Sequence, residues 1–355
     1  MEFTDAVKTV TREKIIPEVF DTVSQGSPFL MTMLQNAKEW RTGFQLQFIL
    51  KYQDSTNGGN IGIADKLDTN RQEVRVKSKF NPKMAYKPVV IAHIETALNS
   101  GDEQVLDLLE TEFDSQASSL MTLMADNLFA GNGTGNEWDS ITNAADDATN
   151  FATYGTLTRS TYSPALDGYY LASAGVLTLA KLATAWRSVR VGMDKPTMHV
   201  TTESIWDTYE SLLTPTVRAG YTQNGFPQMN AFGMVPQSAA LAGTQGFEVV
   251  FFRGVPVVAD EQCPSGRFYL INTKFFRFYG IDLSKASKNI ETLNFKKQRQ
   301  GTPLGVPGRV PSTRGFNFRL MMDPVDQLAE VGHLFYAGNF AAANPRLQGQ
   351  MRGVT

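Results

Sequence analysis

The 355-residue chain holds few side chains able to do chemistry, and their spacing limits what they could do. Its three histidines, His93, His199 and His333, each sit in an apolar or strand-like run. A zinc site or a nucleophilic triad needs a histidine with partners at set spacing. No HExxH, CxxC or GxSxG pattern occurs. A hydrolase built on the middle of the chain would have to use His199. The run Gly131-Asn132-Gly133-Thr134-Gly135 has the glycine density of a phosphate cradle. It follows a helical pattern instead of joining a strand to a helix, so it reads as a helix stop. Asp146 and Asp147, with Glu137 and Asp139, offer carboxylates to a hard cation without the EF-hand spacing, and a solvated acidic loop is expected there. Cys263 is the only cysteine, which excludes an intrachain disulfide and fits synthesis in a reducing cytoplasm. No catalytic, cofactor-binding or metal site is expected.

The elements around these residues are those of a structural module. Residues 247–280, FEVVFFRGVPVVADEQCPSGRFYLINTKFFRFYG, break into short Val-, Phe- and Tyr-rich runs at Arg253-Gly254, at 263–266 and at Asn272-Thr273. Such runs predict three or four strands joined by tight turns. Phe44, Leu46, Phe48 and Leu50 alternate with Gln45, Gln47 and Ile49, and so do Val74, Val76, Ser78 and Phe80 with Glu73, Arg75, Lys77 and Lys79. The two runs predict a long hairpin within 44–90, its tip marked by Gly58-Gly59. A two-stranded ribbon is marginal alone in water, and no adjacent segment offers it a surface.

Val105, Leu108, Leu109, Phe113, Ala117, Leu120, Met124 and Leu128 recur every three or four residues and predict a helix over 100–131. Ser100 and Glu103 would form its capping box. At 1.5 Å per residue it would run about 43 Å, the length of a strut. Residues 132–165 read as a loop, 178–191 and 203–213 as helices, 198–201 as a buried strand, and about 333–340 as the last strand.

Charge is segregated behind a net value of −2. Residues 88–158 hold twelve Asp or Glu and no Lys or Arg, whereas 267–319 hold eleven Lys or Arg against Asp282 and Glu291. Copies meeting acidic face to basic face would use such a pattern for steering and register. Neutralisation between neighbouring segments of one domain is the plainer reading. Arg71, Arg75, Lys77 and Lys79, continued by Lys83 and Lys87, form a basic hairpin face. It could touch phosphates, face solvent, or dock on the acidic helix of another copy at Asp102, Asp107, Glu110 and Asp114, and the need for a platform favours docking.

The order of parts resembles the major capsid proteins of tailed bacteriophages, with the Hong Kong 97 type of fold. Four segments carry the resemblance: GFQLQFILKY at 43–52, DNLFAGNG at 126–133, LTLAKLATAWRSVRVGMDKPTMHVTTESIWDTYESL at 177–212, and RGVPVVADEQCPSGRFYLINTKFF at 253–276. It implies an α+β chain with an N-terminal arm at 1–42 and an extended loop at 43–88. A peripheral domain would take 89–135 and 265–345, with a spine helix at about 101–130. An axial domain would take 136–264, and a tail 346–355. The implied function is self-assembly into pentamers and hexamers of an icosahedral shell enclosing double-stranded DNA, contacted non-specifically, with no cofactor and no membrane. A separate scaffolding protein and a portal are implied partners, and a decoration protein is compatible. Lys66 lies in the loop that one lineage crosslinks, but no Asn partner or assisting carboxylate is identifiable, so no crosslink is expected. An encapsulin-like compartment carrying a cargo enzyme shares this fold and is the alternative, with an unrecognised hydrolase third.

Overall fold

The computed structural model describes residues 27–40, 43–63, 66–67, 69–98, 108–213, 250–281, 290–292, 316–322 and 328–355. Its strands, in chain order, are β1 (Lys38–Glu39), β2 (Leu46–Lys51), β3 (Arg75–Phe80), β4 (Lys83–Ala92), β5 (Thr153–Tyr154), β6 (Leu157–Thr158), β7 (Tyr169–Leu171), β8 (Met198–Thr201), β9 (Val250–Phe252), β10 (Val255–Ala259), β11 (Arg267–Ile271), β12 (Phe276–Gly280), β13 (Ile290–Thr292), β14 (Phe316–Met322), β15 (Ala329–Ala342) and β16 (Gly349–Arg352). The longer helices are Pro28–Gln35, Leu108–Ala130, Leu179–Val189 and Glu203–Ser211.

Two mixed sheets form the body. In the first, β15 is flanked by β4 along one edge and by β14 and then β12 along the other, with β13 outside β14 and β1 outside β12. Gly338 lies between the end of β4 on one edge and the end of β12 on the other, and pairs with both Lys83 and Gly280. Its φ is +151°, and a Cβ there would overlap the Tyr279 carbonyl and the Phe278 ring, so only glycine fits. The second sheet runs β7-β16-β11-β8-β10-β9. Its inner strands are buried on both faces, which is why Met198–Thr201 and Val255–Ala259 read as nearly unbroken apolar runs. One face holds Val257, Phe268, Leu270 and Met351 against Leu182, Trp186, Val189, Ile205 and Tyr209 of two helices. The other face, with Val200, Val258, Tyr269 and Ile271, belongs to the same core as Phe276, Phe278, Phe340 and the long helix.

The long helix Leu108–Ala130 buries Phe113, Leu120, Met124 and Leu128, the stripe expected of it. Phe129 in its last turn lies 5.4 Å from Phe29 and 5.7 Å from Tyr269, ring centre to ring centre, and so links helix Pro28–Gln35 to the second sheet. Ser27 starts helix Pro28–Gln35: its Oγ accepts from Leu30 N at 3.1 Å and donates to buried Asp260 at 2.6 Å. Asp260 also accepts from Phe29 N at 3.2 Å, so one carboxylate beside the second sheet holds the start of this core helix.

Three expectations are corrected. Residues 346–355 are no tail, because β16 lies between β11 and β7 and is almost wholly buried. Its polar residues misled: Gln350 donates to the Thr142 carbonyl at 3.0 Å and Gln348 to the Asn272 carbonyl at 3.2 Å, inside the body. β11 at 267–271, expected in the peripheral part, pairs with β8 in the second sheet. The hairpin ends at Phe80, and β4 leaves it to run along β15 from Lys83↔Gly338 to Ala92↔Ala329. The proposed capping box, Ser100 with Glu103, lies outside the described residues.

Gly338→Ala is expected to lower unfolding stability by at least about 2 kcal/mol, since it adds backbone strain to a steric overlap with main chain. Urea denaturation checks this. A change within about 0.5 kcal/mol would contradict the close approach of β12 and β15.

Candidate assembly interface

The ribbon is built by alternation. β2 and β3 pair antiparallel from Leu46↔Phe80 to Lys51↔Arg75. Leu46, Phe48, Leu50, Val76, Ser78 and Phe80 turn inward, while Gln47, Ile49, Lys51, Arg75, Lys77 and Lys79 are exposed. The inner face lies on the chain's own body, which corrects the expectation that nothing nearby supports it. Phe48 packs 5.5 Å from Tyr279, Phe80 5.2 Å from Tyr154, and Tyr52 5.1 Å from Tyr162. The Lys79 amide donates to the Gly155 carbonyl at 2.8 Å. Gly155 permits this approach, because a Cβ there would come within 2.9 Å of both Ser78 and the Phe80 ring.

Beyond this root the tip holds itself through its own polar groups. Gln72 accepts from Thr56 N at 2.8 Å, and Asn57 donates to the Asn70 carbonyl at 2.7 Å. Ile61, Ile63 and Leu67 are exposed there, as is Ile49 on the outer face. Lone exposed apolar residues are ordinary, and here four of them fall on one hairpin.

The structure assembles the basic half of the predicted interface. Arg75, Lys77 and Lys79 share the outer face of β3, and Arg71 is exposed just before it. Lys83 and Lys87 do not belong to this face, because β4 carries them into the first sheet, where Lys83 donates to the Gly135 carbonyl. Of the acidic half, Asp114 is exposed on the long helix. Asp102, Asp107 and the Glu110 side chain lie outside the described residues.

The chemical candidates become structural. His199 is fully buried among Trp186, Phe252 and Phe268, with ring centres 5.6–6.1 Å away, and no substrate could reach it. Asp146 is not a solvated loop residue. Its buried carboxylate accepts from Ala148 N, Asn150 N, Asn150 Nδ2 and Phe151 N at 2.7–3.1 Å and shapes the loop. Cys263 is buried, and desolvation pushes its thiol pKa up, so it is a poor nucleophile. Among the described residues no group of three His, Cys, Asp or Glu side chains could hold a metal, and no helix is long and apolar enough to cross a membrane.

Two sites escaped sequence reading. Arg159, the first cation after the acidic stretch, is fully buried; its guanidinium donates to the carbonyls of Asn143, Asp146 and Leu166 and lies over the Tyr154 ring. The second joins three distant segments at the ribbon root. Asn339 Nδ2 donates to Asp139 Oδ2 at 2.7 Å and to the Asn81 carbonyl at 2.9 Å, and Asn339 Oδ1 accepts from Asp139 N at 3.1 Å. A cleft of about 360 Å³ opens beside them, lined by Lys79, Lys83, Asn132, Asp139, Asn143 and Asn150 among others. Asp139 was expected in a solvated acidic loop. It is 8% exposed, because the loop after the long helix folds back on β15.

No protein-family model matches the chain, and no curated protein matches it in sequence. Solved structures match over nearly its whole length. A capsid chain of cyanophage A-1(L) is 15% identical with a TM-score of 0.73, covering 99% of each chain. A structure from Mycobacterium phage Adephagia is 10% identical with a TM-score of 0.55, covering 100% of this chain and 98% of the other. The SrpI encapsulin of Synechococcus elongatus is 10% identical with a TM-score of 0.53, covering 100% and 96%. The chain therefore has the Hong Kong 97 type of fold, α+β as expected.

His199 makes stability pH-dependent. Burial pushes its pKa from 6.5 to about 3, so the folded state refuses a proton that the unfolded chain takes up. Stability is full above pH 6.5 and falls as pH drops toward 3, by about 1.4 kcal/mol per pH unit from this group. His199→Phe is expected to remove that part of the loss between pH 6.5 and 5, read by urea denaturation at several pH values. An unchanged slope would contradict it.

Proposed function

We propose that this chain is the shell subunit of a tailed-phage capsid, assembling into pentamers and hexamers of an icosahedral particle around double-stranded DNA. The observation that carries this reading is the ribbon. Its root is fixed to the body, while its outer face is basic and its tip exposes Ile61, Ile63 and Leu67. Such a limb is an incomplete surface, and a second copy completes it. The Hong Kong 97 type of fold across nearly the whole chain supports the reading, and so does the charge segregation between 88–158 and 267–319.

In this account Arg71, Arg75, Lys77 and Lys79 dock on the acidic segment of a neighbour that holds Asp102, Asp107, Glu110 and Asp114. Charge complementarity fixes register more than affinity, and the apolar tip contributes the buried area. Obligate interfaces of this kind bury more than about 2,000 Å². A scaffolding protein, a portal and maturation of a procapsid belong to the same proposal, as does a place in the virion after assembly in the host cytoplasm. A compartment carrying a cargo enzyme is the second reading, favoured by the likeness to SrpI. The higher TM-score of the cyanophage capsid chain puts the phage reading first. Particle contents separate the two: nucleic acid supports the first and a protein cargo the second.

Reversing Arg75, Lys77 and Lys79 to Glu is expected to leave a soluble, folded subunit that forms no shells, scored by circular dichroism and negative-stain electron microscopy. Shells at normal yield would overturn the docking of the basic face.

A further inference from the structure

We propose that Asp139, Asn339 and Asn81 form a proton-sensitive clasp that fastens the ribbon root to the first sheet and holds more firmly when Asp139 is protonated. Asn81 and Pro82 are the whole connection between β3 and β4, so the ribbon meets the body at this joint. The Asn81 carbonyl is held by Asn339, whose side chain is fully buried in β15 and whose remaining bonds both go to Asp139. The clasp thus ties together the hairpin, the loop after the long helix and the central strand. Residues 139 and 339 are 200 positions apart, which makes it a tertiary lock and not a local turn.

Burial raises the Asp139 carboxyl to about 6, against the pull of the Asn339 hydrogen bond and the Lys83 charge. The charged or titratable groups that act on it are Lys83 from β4 and Tyr154 from β5, whose phenol burial keeps neutral; Lys79 of β3 borders the same cleft with its charge on the outer face, and Glu137 on its own loop accepts from the Asn132 amide. β15 contributes the uncharged Asn339, and the short helix Ile141–Ala144 the uncharged Asn143. Asn143 Oδ1 is a buried acceptor with no donor. A Cβ at Gly133 would meet both Asp139 Oδ1 and Asn143 Nδ2, so the two side chains line the same side of that glycine.

The sign follows from linkage. With the joint open the carboxyl meets water and returns to its ordinary 3.8; closed, it holds its proton up to about pH 6. Proton binding therefore favours the closed joint. That gain is complete below about pH 4 and is lost as pH rises through 6, on the order of a hundredfold in the opening equilibrium. The inference concerns the subunit alone and survives if no shell forms.

Hydrogen–deuterium exchange on the soluble full chain tests it, following the amides of Lys79 and Asp139 with correction for intrinsic exchange. Their protection is expected to fall about tenfold from pH 5 to 7.5, to stay level in Asp139→Asn, and to fall at higher pH in Lys83→Met, which removes the cation that favours ionisation. Level protection in the unmodified chain, an unchanged slope in Asp139→Asn or an unmoved midpoint in Lys83→Met would each overturn the clasp. Should Asp139→Asn fail to fold, the unmodified chain and Lys83→Met still decide.

Discussion

A two-stranded ribbon can bury only the face that something else covers. That constraint organises this molecule. β2 and β3 cover one face with the body, through Phe48 on Tyr279 and Phe80 on Tyr154, and leave Arg75, Lys77 and Lys79 outward. The fixed root gives the limb a direction, and the uncovered face gives it a need for a partner. A limb free along its whole length would lose more conformational entropy on docking; one held at its root has part of that ordering done beforehand.

The body serves that fixed root. β15 receives β4 on one edge and β12 on the other, and presents Asn339 to the joint between ribbon and sheet. The second sheet, buried on both faces, joins the same core through Tyr269 and Val258, so the root rests on a continuous packed mass. The first described helix is handled in parallel, with Asp260 gripping Ser27 and Phe29 where helix Pro28–Gln35 begins. The ribbon root and the first described helix are thus each tied to the body by a buried carboxylate, and in each case burial raises that group's pKa.

Local pattern made much of this readable from sequence. The alternation of Leu46, Phe48 and Leu50 against Val76, Ser78 and Phe80 is a two-residue period and places the ribbon faces correctly. The stripe from Phe113 to Leu128 marks the buried side of the long helix. What stayed hidden depends on partners far along the chain. The platform under the ribbon comes from Tyr154, Gly155 and Tyr279, which no local pattern connects to Phe48. The strand at 349–352 reads as a tail because its glutamines are polar, and only the carbonyls of Thr142 and Asn272 make their burial affordable. Asp139 and Asp146 read as solvated acids for the same reason: their donors, Asn339 and the amides of 148–151, become visible only after folding.

The central claim is that the ribbon finishes its surface on another copy. An electron cryomicroscopy reconstruction of the purified product tests it most directly. The account predicts closed shells in which residues 52–74 of each subunit lie against the body of a neighbour, with the basic face of β3 turned toward acidic side chains. Particles that stay single, or shells in which that segment touches no adjacent subunit, would contradict it.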